Sequence, residues 1–363
     1  MPQLDGLRGC AVLSVLVFHL IPQYFDNSPL GWIGVRLFFV LSGFLITGIL
    51  LRGRELARSG VQSVGFTLRQ FYARRFLRIF PIYYLVLIIL FIFGAEEIRP
   101  KFLWHLAYLS NFKFVIDGYF AKWVAHFWTL SVEEQFYLLW PVIVLFTPRK
   151  GLVPVLSAAI AVGPVYRLLS QLFDFSGLAC EVLLPVCLDT LAAGALLAVL
   201  IYEPGAWPRR RRALALIGWV GFATYITLTI LDYVKLSSVA GFVISTTAFA
   251  LGAAGLIGHA AFGFSGWRRS ILQFRPLVYV GAISYGLYLY HEIVSTLLDD
   301  LIAAGTLHSG AASLVALKFG LTFLAAAISW KFFERPINNL KRFFPYEQPH
   351  PSSAHTPEAI VRS

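Results

Sequence analysis

Long apolar runs separated by short polar stretches recur along almost the whole chain. At 1.5 Å per residue, about twenty such residues cross a hydrocarbon layer of ~30 Å. A segment in lipid must satisfy its backbone groups internally, which leaves helices or a closed barrel. A barrel would alternate apolar and polar positions with period two, and these runs do not. The pattern predicts ten spanning helices, over residues 4–22, 31–51, 74–94, 127–147, 151–170, 182–202, 211–231, 237–258, 277–298 and 312–333. The expected fold is an all-α polytopic membrane bundle. Residues 1–341 form its transmembrane domain, and residues 342–363 a polar, Pro-rich tail expected to be disordered. The opening run reads as a retained helix rather than a cleaved leader, because its only early positive charge, Arg8, lies inside it. Pro154, Gly163 and Pro164 predict a kink or break in the fifth span. Residues 95–126 are rich in aromatic rings, as expected of a segment lying along a membrane interface.

Composition sharpens this. Only 13% of residues are charged, about half the share of a soluble domain. The net charge of +11 does not require a nucleic-acid partner once its distribution is seen. All but eight of the 30 basic residues (Arg36, Arg99, Lys101, Lys113, Lys122, Arg167, Lys235 and Lys318) fall on one side of the predicted bundle. Cytoplasmic loops carry the excess of Lys and Arg, so both termini are expected in the cytoplasm. The three cysteines form no disulfide framework. No zinc-type ligand spacing is present, and no metal is expected.

Charged groups inside the spans are costly and mark candidate sites. Arg8 and His19 stand eleven residues apart on the first span, which places them on one helix face, roughly 16 Å apart along the axis. Asp5 lies one turn below Arg8. Followed along the predicted spans, His19, Glu133, Asp189 and His291 reach one outer layer. Arg8 and the cluster Arg74, Arg75 and Arg78 line the inner side. Guanidinium groups pair bidentately with phosphates, and an imidazole titrates near working pH and suits a general base. Each feature also has a structural explanation. The three arginines satisfy the charge rule by themselves, His291 suits a hydrogen-bonded bundle histidine, and Asp189 suits an ion pair with Arg167 or Arg36. His105 and His126 are expected at the interface, and Glu134 points about 100° away from Glu133.

Six stretches in this order resemble the bacterial family-3 membrane acyltransferases. They are LDGLRG with Arg8 and His19, GVRLFFVLSGFLIT, FYARRFLRIFPIYY, FWTLSVEEQFYLLWP, SYGLYLYHE and FFERP. The resemblance covers residues 1–341. It implies an essential pair at Arg8 and His19, a functional basic run at Arg74, Arg75 and Arg78, and a family glutamate at Glu133 followed by Gln135 and Tyr137. It also implies O-acylation of surface polysaccharides, glycolipids and related acceptors. Many members append an esterase-like domain, so this chain is expected to be a stand-alone form.

The resulting expectation is an integral O-acyltransferase of the bacterial cytoplasmic membrane. It would move an acyl group, most simply acetyl, from cytosolic acyl-CoA to a hydroxyl of an exported saccharide or glycolipid. His19 is expected as general base with Glu133 and Arg8 in the catalytic group. Arg8, Arg74, Arg75, Arg78 and Ser42 are expected to hold the donor. Asp5, Arg36, Gln135, Tyr137 and His291 are expected at the substrate. An acyl-enzyme on Ser42, Cys10 or His19 remains an alternative order. A carrier of lipid-linked sugars without acyl chemistry is the rival class.

Overall fold

The computed structural model describes residues 1–348 except 26–27, 95–96, 174, 176 and 237. Its main helices are α1 (Pro2–Leu20), α2 (Leu30–Arg58), α3 (Val64–Ile92), α4 (Ile98–Leu106), α5 (Ser110–Asp117), α6 (Phe127–Phe146) and α7 (Arg149–Phe173). They continue with α8 (Leu184–Ile201), α9 (Ala206–Tyr233), α10 (Val239–Phe262), α11 (Arg275–Ala282), α12 (Ser284–Ala303) and α13 (Ala311–Ser329). Among the described residues nine helices are long and apolar enough to cross a membrane, and no strand is present.

The ninth expected span, 277–298, is instead divided between α11 and α12 at Ile283. Tertiary packing explains the division. Gly281, at the end of α11, lies against the carbonyl oxygen of Asp5 on α1, closer than any Cβ would permit. The chain then turns and starts α12, which carries Glu292, Asp299 and Asp300. The fifth span is not broken, because α7 runs through both Pro154 and Pro164. Ser63 and Ser238 begin α3 and α10 by accepting the backbone N–H of Phe66 and Gly241, as N-caps do.

The opening helix is central. Leu4, Val12, Val15, Leu16 and Leu20 are at most 1% exposed, enclosed by α2, α11 and α12. Glycines allow the closest crossings. Gly43 of α2 faces the Leu191 carbonyl of α8, and Gly194 of α8 faces the Val40 carbonyl of α2. The outer surface of α9 is apolar (Leu216, Trp219, Val220, Ile226, Ile230), as a lipid-facing helix requires. The connection between α3 and α6 folds into α4 and α5. A buried Lys101–Asp117 pair at 2.9 Å and a His105–Ser110 hydrogen bond at 2.8 Å hold the two together. Burial lowers the His105 pKa to about 4, with the Lys101 charge adding to the effect.

The start of the expected disordered tail carries contacts. Arg74 donates to the carbonyls of Lys341 and Phe344 at 2.8 and 3.0 Å, and its guanidinium lies 4.3 Å from the Tyr346 ring centroid. Glu347 pairs with Arg52 at 3.1 Å. Residues 349–363 lie outside the described residues.

Candidate active site

A cavity of about 280 Å³ runs into the bundle from the arginine-rich end. One stripe of α2 forms a wall, with Val35, Phe39, Ser42, Ile46 and Ile49 following one another at helical spacing. Five cationic side chains border it: Arg8, Arg74, Arg75, Arg78 and Lys341. Three of these are already engaged, since Arg8 donates to Asp5 Oδ1 at 2.7 Å, Arg74 is tied to the C-terminal segment and Lys341 donates to Asn338 Oδ1. Asp5 therefore sits in the site as the partner of Arg8. Arg75 and Arg78 make no ion pair among the described residues. Arg75 lies 5.7 and 5.4 Å from the ring centroids of Phe71 and Tyr137, and its buried Nε lacks a hydrogen-bond acceptor. Two unneutralised guanidinium groups in a concave pocket suit a phosphorylated ligand.

Deeper in, the lining changes from cationic to a relay of hydrogen bonds. Tyr137 Oη donates to Ser42 Oγ at 3.2 Å, and Ser42 Oγ donates to Glu133 Oε1 at 2.8 Å. Helix α6 supplies the carboxylate and the phenol one turn apart, while α2 supplies the hydroxyl. The two helices are fixed by Trp140 Nε1 donating to Thr47 Oγ1 at 2.7 Å. At the blind end Thr129 Oγ1 and Tyr288 Oη are hydrogen-bonded at 2.8 Å.

Behind Tyr288 lies a group of three histidines. His19 and His291 have ring centroids 5.0 Å apart, and His126 and His291 5.2 Å apart. His19 Nδ1 is 3.1 Å from the Val15 carbonyl and His291 Nδ1 2.6 Å from that of Tyr288. A carbonyl only accepts, so each Nδ1 carries a proton and donates it. Glu292 Oε2 lies 3.6 Å from His291 Nε2. Ligand atoms of His19, His291 and Glu292 fall within 4.8 Å of one another, close enough to share an ion.

The structure thus brings Arg8, Ser42, Arg74, Arg75, Arg78, Glu133 and Tyr137 to one cavity, with Asp5 attached through Arg8. It joins His19 and His291 in a packed group outside the residues that line the cavity. Glu133, expected beside His19, instead accepts from Ser42. Gln135 serves a different purpose: its Nε2 donates to Tyr108 O and Asn111 Oδ1, both at 3.0 Å, pinning the interfacial segment to α6. Asp189 does not join the histidine layer; it pairs with Arg167 at 2.6 Å and accepts from Thr247 at 2.7 Å. Arg36 borders a second cavity near the opposite end. Sequence reasoning missed Thr129, Tyr288, Lys341, Tyr346 and His126, the last of which is 4% exposed rather than interfacial. A signal for His126 exists, because it precedes Thr129, Glu133 and Tyr137 by three, seven and eleven residues, all on one helix face.

A polytopic helical bundle with a cationic pocket ending on a carboxylate–hydroxyl relay defines the class, a membrane-embedded group-transfer protein. Residues 1–331 match the family described as acyltransferase domain, and the chain belongs to that family. It is 29% identical over 93% of its length to the peptidoglycan O-acetyltransferase OatA of Listeria monocytogenes serovar 1/2a, covering 56% of that protein. It is likewise 29% identical over 93% of its length to the O-acetyltransferase OatA of Staphylococcus aureus (strain NCTC 8325 / PS 47), covering 57% of it. The chain thus spans little more than half the length of these relatives. No solved structure matches it.

Proposed function

We propose that this chain is an O-acetyltransferase of the bacterial cytoplasmic membrane that moves acetyl from cytosolic acetyl-CoA to a hydroxyl of an exported cell-wall glycan. The observation that carries the reading is the single cavity with unpaired Arg75 and Arg78 at one end and Glu133, Ser42 and Tyr137 at the other. The arginine-rich end faces the cytosol in this reading, by the charge rule. Arg75 and Arg78 hold the donor phosphates, with Arg8 and Lys341 beside them, and the pantetheine arm carries the thioester toward Ser42. Glu133 and Tyr137 fix the Ser42 hydroxyl and the polarity around the thioester.

His19 acts as general base, and His291, held by the Tyr288 carbonyl, packs against its imidazole. His19 takes the proton of the acceptor hydroxyl. The alkoxide adds to the thioester carbonyl, the C–S bond breaks, and the CoA thiolate leaves and takes up the proton that His19 had removed, which restores the base. Tyr288 and Thr129 stand between the donor cavity and the histidines, so their displacement admits the acceptor oxygen to the thioester. The O-acetyltransferase relatives support the acetyl group and the glycan class.

Purified full-length protein in lipid nanodiscs, given acetyl-CoA and a glycan acceptor, tests this by free-thiol release. Arg75→Ala and Arg78→Ala should each raise the donor KM about 10-fold or more, the loss of one or two charge-assisted hydrogen bonds, and leave the acceptor KM alone. His19→Ala should abolish transfer. A folded His19→Ala protein with undiminished transfer sinks the mechanism, and glycan translocation without thiol release would instead mark a carrier.

A further inference from the structure

We infer that the second cavity binds a pyranose unit of the acceptor glycan, an assignment that rests on the glycan-acylating reading above. The cavity measures about 320 Å³, and its wall includes Trp32, Arg36, Trp128, Glu181 and Asp232. A neighbouring hollow of about 250 Å³ shares Trp32, Arg36 and Asp232, so the two form adjoining lobes around one arginine. The Arg36 guanidinium lies 5.4 Å from the Trp32 ring centroid and makes no hydrogen bond or ion pair among the described residues. The carboxylates of Glu181 and Asp232 make none either. Arg167 contrasts with them, being consumed by Asp189 at 2.6 Å, Val243 O at 3.0 Å and Thr247 Oγ1 at 3.1 Å. That pair belongs to the wall.

What remains for a ligand is one fan of donors, two sets of acceptors and two indole groups. A pyranose matches this set, because its C–H faces cover an aromatic ring while its hydroxyls both donate and accept. A phosphate or other anion does not, since two carboxylates oppose the one free guanidinium. Placement agrees with the chemistry. Val35 and Phe39 line this cavity and the arginine cavity alike, and Ser42 follows them on the same stripe of α2. A sugar seated here is separated from the donor cavity by those two side chains.

The test uses full-length protein in nanodiscs and N-acetylglucosamine pentasaccharide as probe, with binding read by calorimetry in the absence of CoA. The unsubstituted chain should bind it, and Arg36→Gln should raise Kd at least 10-fold. Asp232→Asn, at an exposed position that does not threaten folding, should raise Kd several-fold. Arg78→Ala should leave it within 2-fold. Failure of the unsubstituted chain to bind the probe, or unchanged affinity in both Arg36→Gln and Asp232→Asn, overturns the assignment. Because the donor is absent, the outcome is independent of the reaction. Sugar binding without thiol release would discard the acetyl-transfer reading and keep the site, whereas thiol release without sugar binding would do the reverse.

Discussion

Ser42 donates its only hydroxyl proton to a carboxylate while receiving one from a phenol, so its oxygen is polarised without a histidine in contact. This arrangement suits a positioning hydroxyl better than an activated nucleophile. Ser42→Ala should therefore lower kcat about 10-fold, corresponding to roughly 1.4 kcal/mol, one polar contact in the transition state. Complete loss, with a trapped acetyl-protein missing from the variant, would show an acyl-enzyme instead. A second prediction concerns His105, held neutral by burial with its pKa near 4. An unfolded histidine titrates near 6.5, so the unfolded chain binds the extra proton first as pH falls. Stability should be full above pH 6.5 and decline by about 3 kcal/mol toward pH 4. Thermal unfolding against pH should show this slope, and His105→Gln should flatten it. Arg8 and Glu133 could be read from the sequence because a charge inside an apolar run stands out, and Arg74, Arg75 and Arg78 because they form a basic run at a helix start. Tyr288 could not, since it reads as an ordinary aromatic of an apolar segment, and His126, which precedes its helix, is marked only by its spacing to Thr129, Glu133 and Tyr137.

Helices α2 and α8 meet through reciprocal glycines, each pressed against a carbonyl of the other. A side chain at either position has backbone rather than a pliable neighbour to displace, so the cost is overpacking of about 1–3 kcal/mol or more. Gly194→Val should lower the melting temperature of the nanodisc-embedded protein and loosen the Trp140–Thr47 and Ser42–Glu133 contacts through α2. An unchanged melting temperature would refute the tight crossing. Most spans were apparent from hydrophobic run length alone, because nothing but a helix can satisfy its own backbone in lipid. The division at Ile283 was not, for it depends on Gly281 meeting α1, a contact between residues almost the whole chain apart. The two prolines of α7 do not break it, because in a membrane helix neighbours can accommodate the missing hydrogen bond.

At the scale of the molecule, two hollows approach each other from opposite ends along one face of α2, and the cationic end is partly covered by Lys341–Tyr346. The sequence showed this polarity as an uneven distribution of arginine. It did not show that the hollows stop short of joining, because the intervening residues are ordinary apolar ones. Val35 and Phe39 are that partition, with Phe39 only 2% exposed. The protein is thereby also an electrical insulator: across two side chains, it must keep the membrane potential from discharging through its own interior. Phe39→Ala should make proteoliposomes carrying a pH gradient lose it faster than those with the unsubstituted chain, as a pH-sensitive dye would register. One phenylalanine and one valine then keep protons from crossing between the two hollows.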